Sequence, residues 1–308
     1  MKYCLYHDES KVDGYWHGML LVPEKEKDHV VDHLRKAREN THYRDPIGIK
    51  NIRRSSGRIF TCAEAWMLLA VGAMRTKIGD EVYPVHYGER ERNKLKYSPF
   101  RECLGLKFIL FRSVDDHQRM ALLATYAQRV ETTFRVGLKG GMHYLGTNQD
   151  PIDVVSMHFD GHEHYGRHID YARIVGRLTG LRRYCGVPED KRDIHDHPSD
   201  HRKCSSEEYA DCQLLQLTDL MIGAFRTRLG HHTSSRHETF GHIAGLPLEA
   251  YQRGYTGYMN SRWASSLWMS QCQVVNGEWE YTTLDCERAN VCSQMELAYG
   301  TEKHQREK

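Results

Sequence analysis

Residues 214–225 read Leu-Leu-Gln-Leu-Thr-Asp-Leu-Met-Ile-Gly-Ala-Phe, which is apolar on nearly every side of a helix. A helix of that kind is buried all round, so the remaining chain has to surround it. A length of 308 residues is enough for one large α/β domain with insertions, or for a core with an appendage. The only ionisable group of the run is Asp219. An ionised carboxylate in such a place is costly unless it meets a cation or a metal. Gly223, one turn along, leaves room for another backbone or a ligand. The plainer reading of Asp219 is a carboxylate paired with Arg or Lys, or one capping a neighbouring loop.

Hydrophobic periodicity supplies the elements around this helix. Strands are expected over residues 2–7 and 15–22, closed by Asp8-Glu9-Ser10 and joined through Val12-Asp13-Gly14. Further strands are expected over 106–114 and 152–159, and helices over 25–40, 62–77, 116–135, 171–184 and 207–229. Residues 188–203 have no apolar period and read as a polar loop. Asn276-Gly277 between two strand-like runs predicts a terminal hairpin over 266–284. The order implies a mixed α/β sheet flanked by helices, with a hairpin at the front and crossovers later. The expected division is a core over residues 1–230 and an extension over 231–308 whose hairpin packs on it.

Composition narrows the setting. With 40% hydrophobic and 27% charged residues the chain reads as globular. Its longest apolar stretch, near residues 65–74, is far too short to cross a bilayer, so no membrane partner is expected. Residues 1–10 contain no basic segment followed by an apolar run, and a cytoplasmic location is the expectation. Nine cysteines without a Cys-x-x-Cys pair predict free thiols in a reducing compartment. The formal net charge is only +2, so nucleic-acid binding has to come from a local patch. The best patch is the Ser-Gly loop that carries Lys50, Arg53, Arg54 and Arg58, although a solvated charge run looks the same. His195, His197, His201 and Cys204 have the donor types of a zinc site, but no second Cys cluster supports them, and a polar loop rich in His is the simpler reading.

Three acidic positions suggest chemistry. Asp8-Glu9 ends the first strand, where alternation sends the two side chains to opposite faces and favours Asp8 for a buried site. Asp160 follows the strand over 152–159, at the carboxyl end where α/β sheets bind ligands, with Glu163 three residues on. Asp219 is the third. Acids from two strands and a helix meeting at one point suit divalent cations held by oxygen ligands, Mg²⁺ or Mn²⁺, and through them the hydrolysis of phosphodiesters.

Tyr6-His7-Asp8-Glu9-Ser10 resembles the Tyr-x-Asp-Glu-Ser opening of the domain of unknown function 3800 family. Leu215-Gln216-Leu217-Thr218-Asp219-Leu220-Met221-Ile222-Gly223 is similar to that family's closing Leu-Gln-Leu-Ala-Asp-Leu-Ile-Ala-Gly motif. Phe159-Asp160-Gly161 is similar to its middle Asp, and Ile47-Gly48-Ile49-Lys50 to its Glu-Ile-Lys-Trp element. The likeness spans residues 1–229. It departs from the pattern at Lys11, where Gly is usual, at Gly48 and Asn51 beside Lys50, and at Thr218 in place of Ala. The resemblance implies an RNase H-like fold, a nuclease acting on DNA or RNA, and Asp8, Glu9, Asp160 and Asp219 as the acidic, metal-binding set. The competing expectation is a non-catalytic RNase H-like adaptor in a multi-protein system, with the C-terminal extension as its protein-partner surface.

Overall fold

A computed structural model of the chain describes residues 1–74, 76–78, 81–83, 105–114, 126–146, 151–160, 185–188, 191–198, 200–231, 234–257, 266–276 and 278–284. In chain order the strands are β1 (Lys2–Ser10), β2 (Tyr15–Pro23), β3 (Thr76–Ile78), β4 (Glu81–Tyr83), β5 (Lys107–Ser113), β6 (Ile152–Asp160), β7 (Cys185–Gly186), β8 (Ile194–His197), β9 (Leu267–Val275) and β10 (Glu278–Thr283). The helices are α1 (Lys27–Thr41), α2 (Arg58–Ala73), α3 (Tyr126–Leu145), α4 (Tyr209–Arg228) and α5 (Glu238–Gly257).

One curled mixed sheet of 8 strands organises them, in the order β10-β9-β5-β2-β1-β6-β7, with β8 also pairing β6. The β5-β2-β1 meander is antiparallel, while β6 lies parallel to β1 and β9 parallel to β5. Asp13 and Gly14, with φ of 60° and 101°, form the tight connection from β1 to β2. Strands β9 and β10, from the expected extension, continue the same sheet through the β5–β9 ladder.

Helix α4 covers one face of the sheet. Tyr6 and Phe108 from that face touch Asp211 and Phe225 of the helix, the two phenyl rings stacking at 5.3 Å. Helix α3 covers the other face. A Cβ on Gly137 would lie 2.7 Å from Phe111, one on Gly140 2.5 Å from Trp268, and one on Gly141 2.4 Å from Ile109. That bare stripe lets α3 lie close to β5 and β9. Helices α1, α2 and α5 close over α4 from outside. Trp66 donates to the Leu34 carbonyl at 3.0 Å, and the Phe60 and Phe240 rings meet at 5.1 Å. Among the described residues no helix is long and apolar enough to cross a membrane.

Several boundaries depart from the sequence pattern. β1 runs through Ser10, so Asp8 and Glu9 stand inside a strand instead of closing it. The helix expected over 62–77 begins at Arg58, just after Gly57 with φ of 98°, and ends at Ala73. α3 continues to Leu145, well past the expected end at 135, because its glycines are contact surface and not breaks. α5, with Pro247 inside it, was not predicted, since Gly and Pro mask its period. The expected polar loop over 188–203 contains the short strand β8. The helix expected over 171–184 lies outside the described residues.

Gly18 couples sheet to helix. It pairs with Asp8 across β1–β2, and a Cβ there would lie 2.3 Å from Ile222 Cγ1. Gly18→Ala is expected to lower stability by about 1–3 kcal/mol, read as a lower urea midpoint, because α4 has to move off the sheet. An unchanged midpoint would show that this contact yields freely.

Candidate functional site

β1 and β6 run in parallel with Tyr6 beside His158 and His7 beside Phe159. One step beyond the last ladder pair come Asp8 and Asp160, on the face that carries Tyr6 and His158, and the charge of Asp160 acts on Asp8. α4 brings the third acid over them. Ile222 fills the space left by Gly18, directly across from Asp8, and Asp219 lies one turn earlier on the helix. Of residues 211–226 Asp219 is the one of intermediate exposure, and the others are buried.

Electrostatics places the three acids within mutual reach. Burial raises the Asp8 carboxyl well above its ordinary value, and the charges of Asp219 and Asp160 raise it further. The Glu9 N–H, which donates to Asp8 Oδ1 at 2.7 Å, opposes that rise. Burial also pushes Asp219 up to about 6; the Ile49 N–H and the Lys50 charge oppose the shift, and Asp160 adds to it. Ile49 N–H reaches Asp219 Oδ2 at 3.0 Å. That approach needs Gly48, where a Cβ would come within 2.7 Å of the same oxygen. The Ile49 side chain fills the notch at Gly223, so the glycine admits a neighbouring loop.

The other expected site residues are placed differently. Glu9 points to the opposite face of the sheet, where its carboxylate accepts from the Tyr15 hydroxyl and lies 3.5 Å from Lys11 Nζ. Alternation along β1 is the reason, and only the backbone of Glu9 reaches Asp8. Lys50, Arg53, Arg54 and Arg58 are all exposed, and of these Lys50 is the one whose charge acts on Asp219. Glu163 lies outside the described residues. Beyond the acids, Arg226 is buried, donates to Ser10 Oγ at 2.6 Å, and contributes positive charge at Asp219.

The zinc constellation suggested by sequence is not assembled. Cys204 is bonded to Cys212, which also corrects the expectation of free thiols throughout. His201 turns to Gln216 at 3.0 Å and packs edge-on against Tyr209. His197 instead joins His158 and Asp211 in a buried group whose ligand-type atoms all lie within 4.8 Å of one another. His158 Nδ1 is 2.9 Å from His197 Nε2 and 3.8 Å from Asp211 Oδ1. Burial lowers both imidazoles, His158 to about 3, so both are neutral near pH 7. Burial alone would raise Asp211, but His158, Lys27 and Tyr6 outweigh it and hold the carboxyl low. Sequence reasoning missed this group. Its members come from β6, β8 and the first turn of α4, and the one local signal was the alternating His195-x-His197.

The acidic trio makes stability depend on pH with a definite sign. Between the usual 3.8 and about 6 the unfolded Asp219 loses its proton while the folded one keeps it. The unfolded state then binds fewer protons, so stability is full at low pH and falls as pH rises through the folded value. Asp219→Asn should therefore be neutral near pH 3.5 and stabilising above pH 6 in the absence of divalent ions, by at most roughly 3 kcal/mol. Denaturant melts at the two pH values check this; equal effects at both would rule out the raised proton affinity of buried Asp219.

Compared with protein-family models, with curated proteins and with solved structures, the chain gives no match in any of the three.

Proposed function

We propose that this chain is a divalent-metal-dependent nuclease built on an RNase H-like core. The antiparallel β5-β2-β1 meander with β6 added in parallel beside β1 supports that form of the fold. The resemblance of Tyr6–Ser10 and of residues 215–223 to the domain of unknown function 3800 family points the same way. The observation that carries the function is the trio Asp8, Asp160 and Asp219, in which the charges of Asp160 and Asp219 raise the Asp8 carboxyl and that of Asp160 raises Asp219. Such concentrated negative charge in a low-dielectric setting fits a cation.

The donor set is all oxygen, which suits Mg²⁺ or Mn²⁺ and not softer ions. Asp8, Asp160 and Asp219 would hold the ions. Bound there, divalent ions supply an activated water and neutralise charge at the leaving oxygen of a phosphodiester. The chain's own groups set the geometry. Glu9 contributes through its N–H, which fixes Asp8 Oδ1, and Ile49 N–H fixes Asp219 Oδ2. Lys50, beside Asp219, steadies a backbone phosphate, and Arg53, Arg54 and Arg58 extend a basic track on the same loop for DNA or RNA.

Cleavage of labelled single- and double-stranded DNA and RNA is expected with Mg²⁺ or Mn²⁺ and is lost to background in Asp219→Asn and Asp8→Asn. Cutting that persists in both folded variants would exclude this centre. Lys50→Ala should weaken nucleic-acid binding for all sequences alike and reduce the salt dependence by about one phosphate contact. Mg²⁺ at about 100 times its Kd should add roughly 2.7 kcal/mol of stability to the native chain. A flat response would favour a non-catalytic binding module.

A further inference from the structure

We propose that His158, His197 and Asp211 form a second metal site, separate from the acidic trio, that takes a zinc-class cation. The proposal does not depend on the nuclease reading. It rests on how the group is built from inside outward.

The inner atoms converge. His158 Nδ1 and His197 Nε2 are 2.9 Å apart, and Asp211 Oδ1 is 3.8 Å from the former. These distances bracket the roughly 3.4 Å between ligands around tetrahedral zinc with bonds of about 2.1 Å. The outer atoms are arranged as supports. His158 Nε2 meets Ser156 Oγ at 2.9 Å, and His197 Nδ1 faces Glu208 Oε1 at 3.7 Å. The same Nδ1 is buried and makes no hydrogen bond. When both outer nitrogens carry protons, the inner nitrogens aim two lone pairs at one point, an arrangement that wants a cation between them. A carboxylate behind a ligating histidine is the usual support of such a site. The Tyr6 hydroxyl, 2.7 Å from Asp211 Oδ1, fixes the third ligand in the same way.

A cation already lies against the group. Lys27 Nζ is 2.6 Å from Asp211 Oδ1, and its charge acts on both imidazoles. Lys27 is the first residue of α1 and its side chain is 24% exposed, so it can withdraw to solvent when a metal arrives. Two imidazoles and a carboxylate suit Zn²⁺, whereas the all-oxygen trio suits Mg²⁺. Occupancy would tie β6, β8 and α4 together, two residues before Asp160 on β6.

Co²⁺ is the probe, titrated into the chelator-treated full chain in excess Mg²⁺, which masks the acidic trio. One equivalent should bind with the intense visible absorption of a four-coordinate site and be displaced by Zn²⁺. His197→Gln should lose that signal and Asp219→Asn should keep it. If His197→Gln proves unfolded by circular dichroism, two milder variants decide. Glu208→Gln should weaken Co²⁺ binding by about tenfold or more, and Lys27→Met should tighten it. The proposal is overturned if no four-coordinate Co²⁺ is bound, if the signal follows Asp219 and not His197, or if Glu208→Gln and Lys27→Met both leave the affinity unchanged.

Discussion

The burial of α4 is the constraint on which the structure turns. A helix enclosed by a sheet on one side and by α1, α2 and α5 on the other has no water for its polar side chains. Each therefore has to find a protein partner. Arg38 of α1 donates to Gln213 at 3.0 Å and to Gln216 at 2.8 Å while its guanidinium rests over Trp66. Thr218 turns back to the Leu214 carbonyl at 2.9 Å. Asp211 takes Lys27 and Tyr6, and Arg226 takes Ser10. Asp219 is held by one backbone N–H, from Ile49. The helix is both the structural axis and the carrier of the site, and its polar positions mark where other elements have to dock.

The sheet imposes a second layer of order. On β1 the even positions Tyr6, Asp8 and Ser10 face α4, while His7 and Glu9 face the other way. On β6 the matching face carries His158 and Asp160. Parallel register thus lays two pairs in adjacent rows, Tyr6 with His158 and Asp8 with Asp160. The first row, completed by His197 and Asp211, is compensated within itself: neutral imidazoles, a hydroxyl and an ammonium surround its one carboxylate. The second row has three carboxylates, and the charges of Lys50 and Arg226 act on Asp219. Two residues along one strand separate the two clusters.

Much of this was legible in the sequence because the signals were local. The apolar run around Asp219 announced a buried helix, and the front hairpin and the strand before Asp160 were readable from alternation and turn residues. Asp8 over Glu9 followed from alternation alone. What stayed hidden depended on tertiary context. Gly137, Gly140 and Gly141 weaken helix propensity, yet they are what lets α3 contact Phe111, Trp268 and Ile109. β8 reads as polar because its inward face is imidazole and not aliphatic. The pairing of Cys204 with Cys212 needs the turn before α4 to fold back on its own first residues, which no spacing rule specifies.

The contrast between the two rows also shows why a buried carboxylate is informative only together with its neighbours. Asp211 and Asp219 lie on one helix, two turns apart. Asp211 is drawn below its ordinary range because donors reach it; Asp219 is driven up to about 6 because a backbone N–H and a lysine charge do not offset its burial. A salt-bridged acid in a core has its charge held by its partners. An acid with raised proton affinity beside two others keeps its proton to a higher pH than a free carboxyl does. The paired reading considered for Asp219 from sequence thus describes the contacts that Asp211 makes with Lys27 and Tyr6.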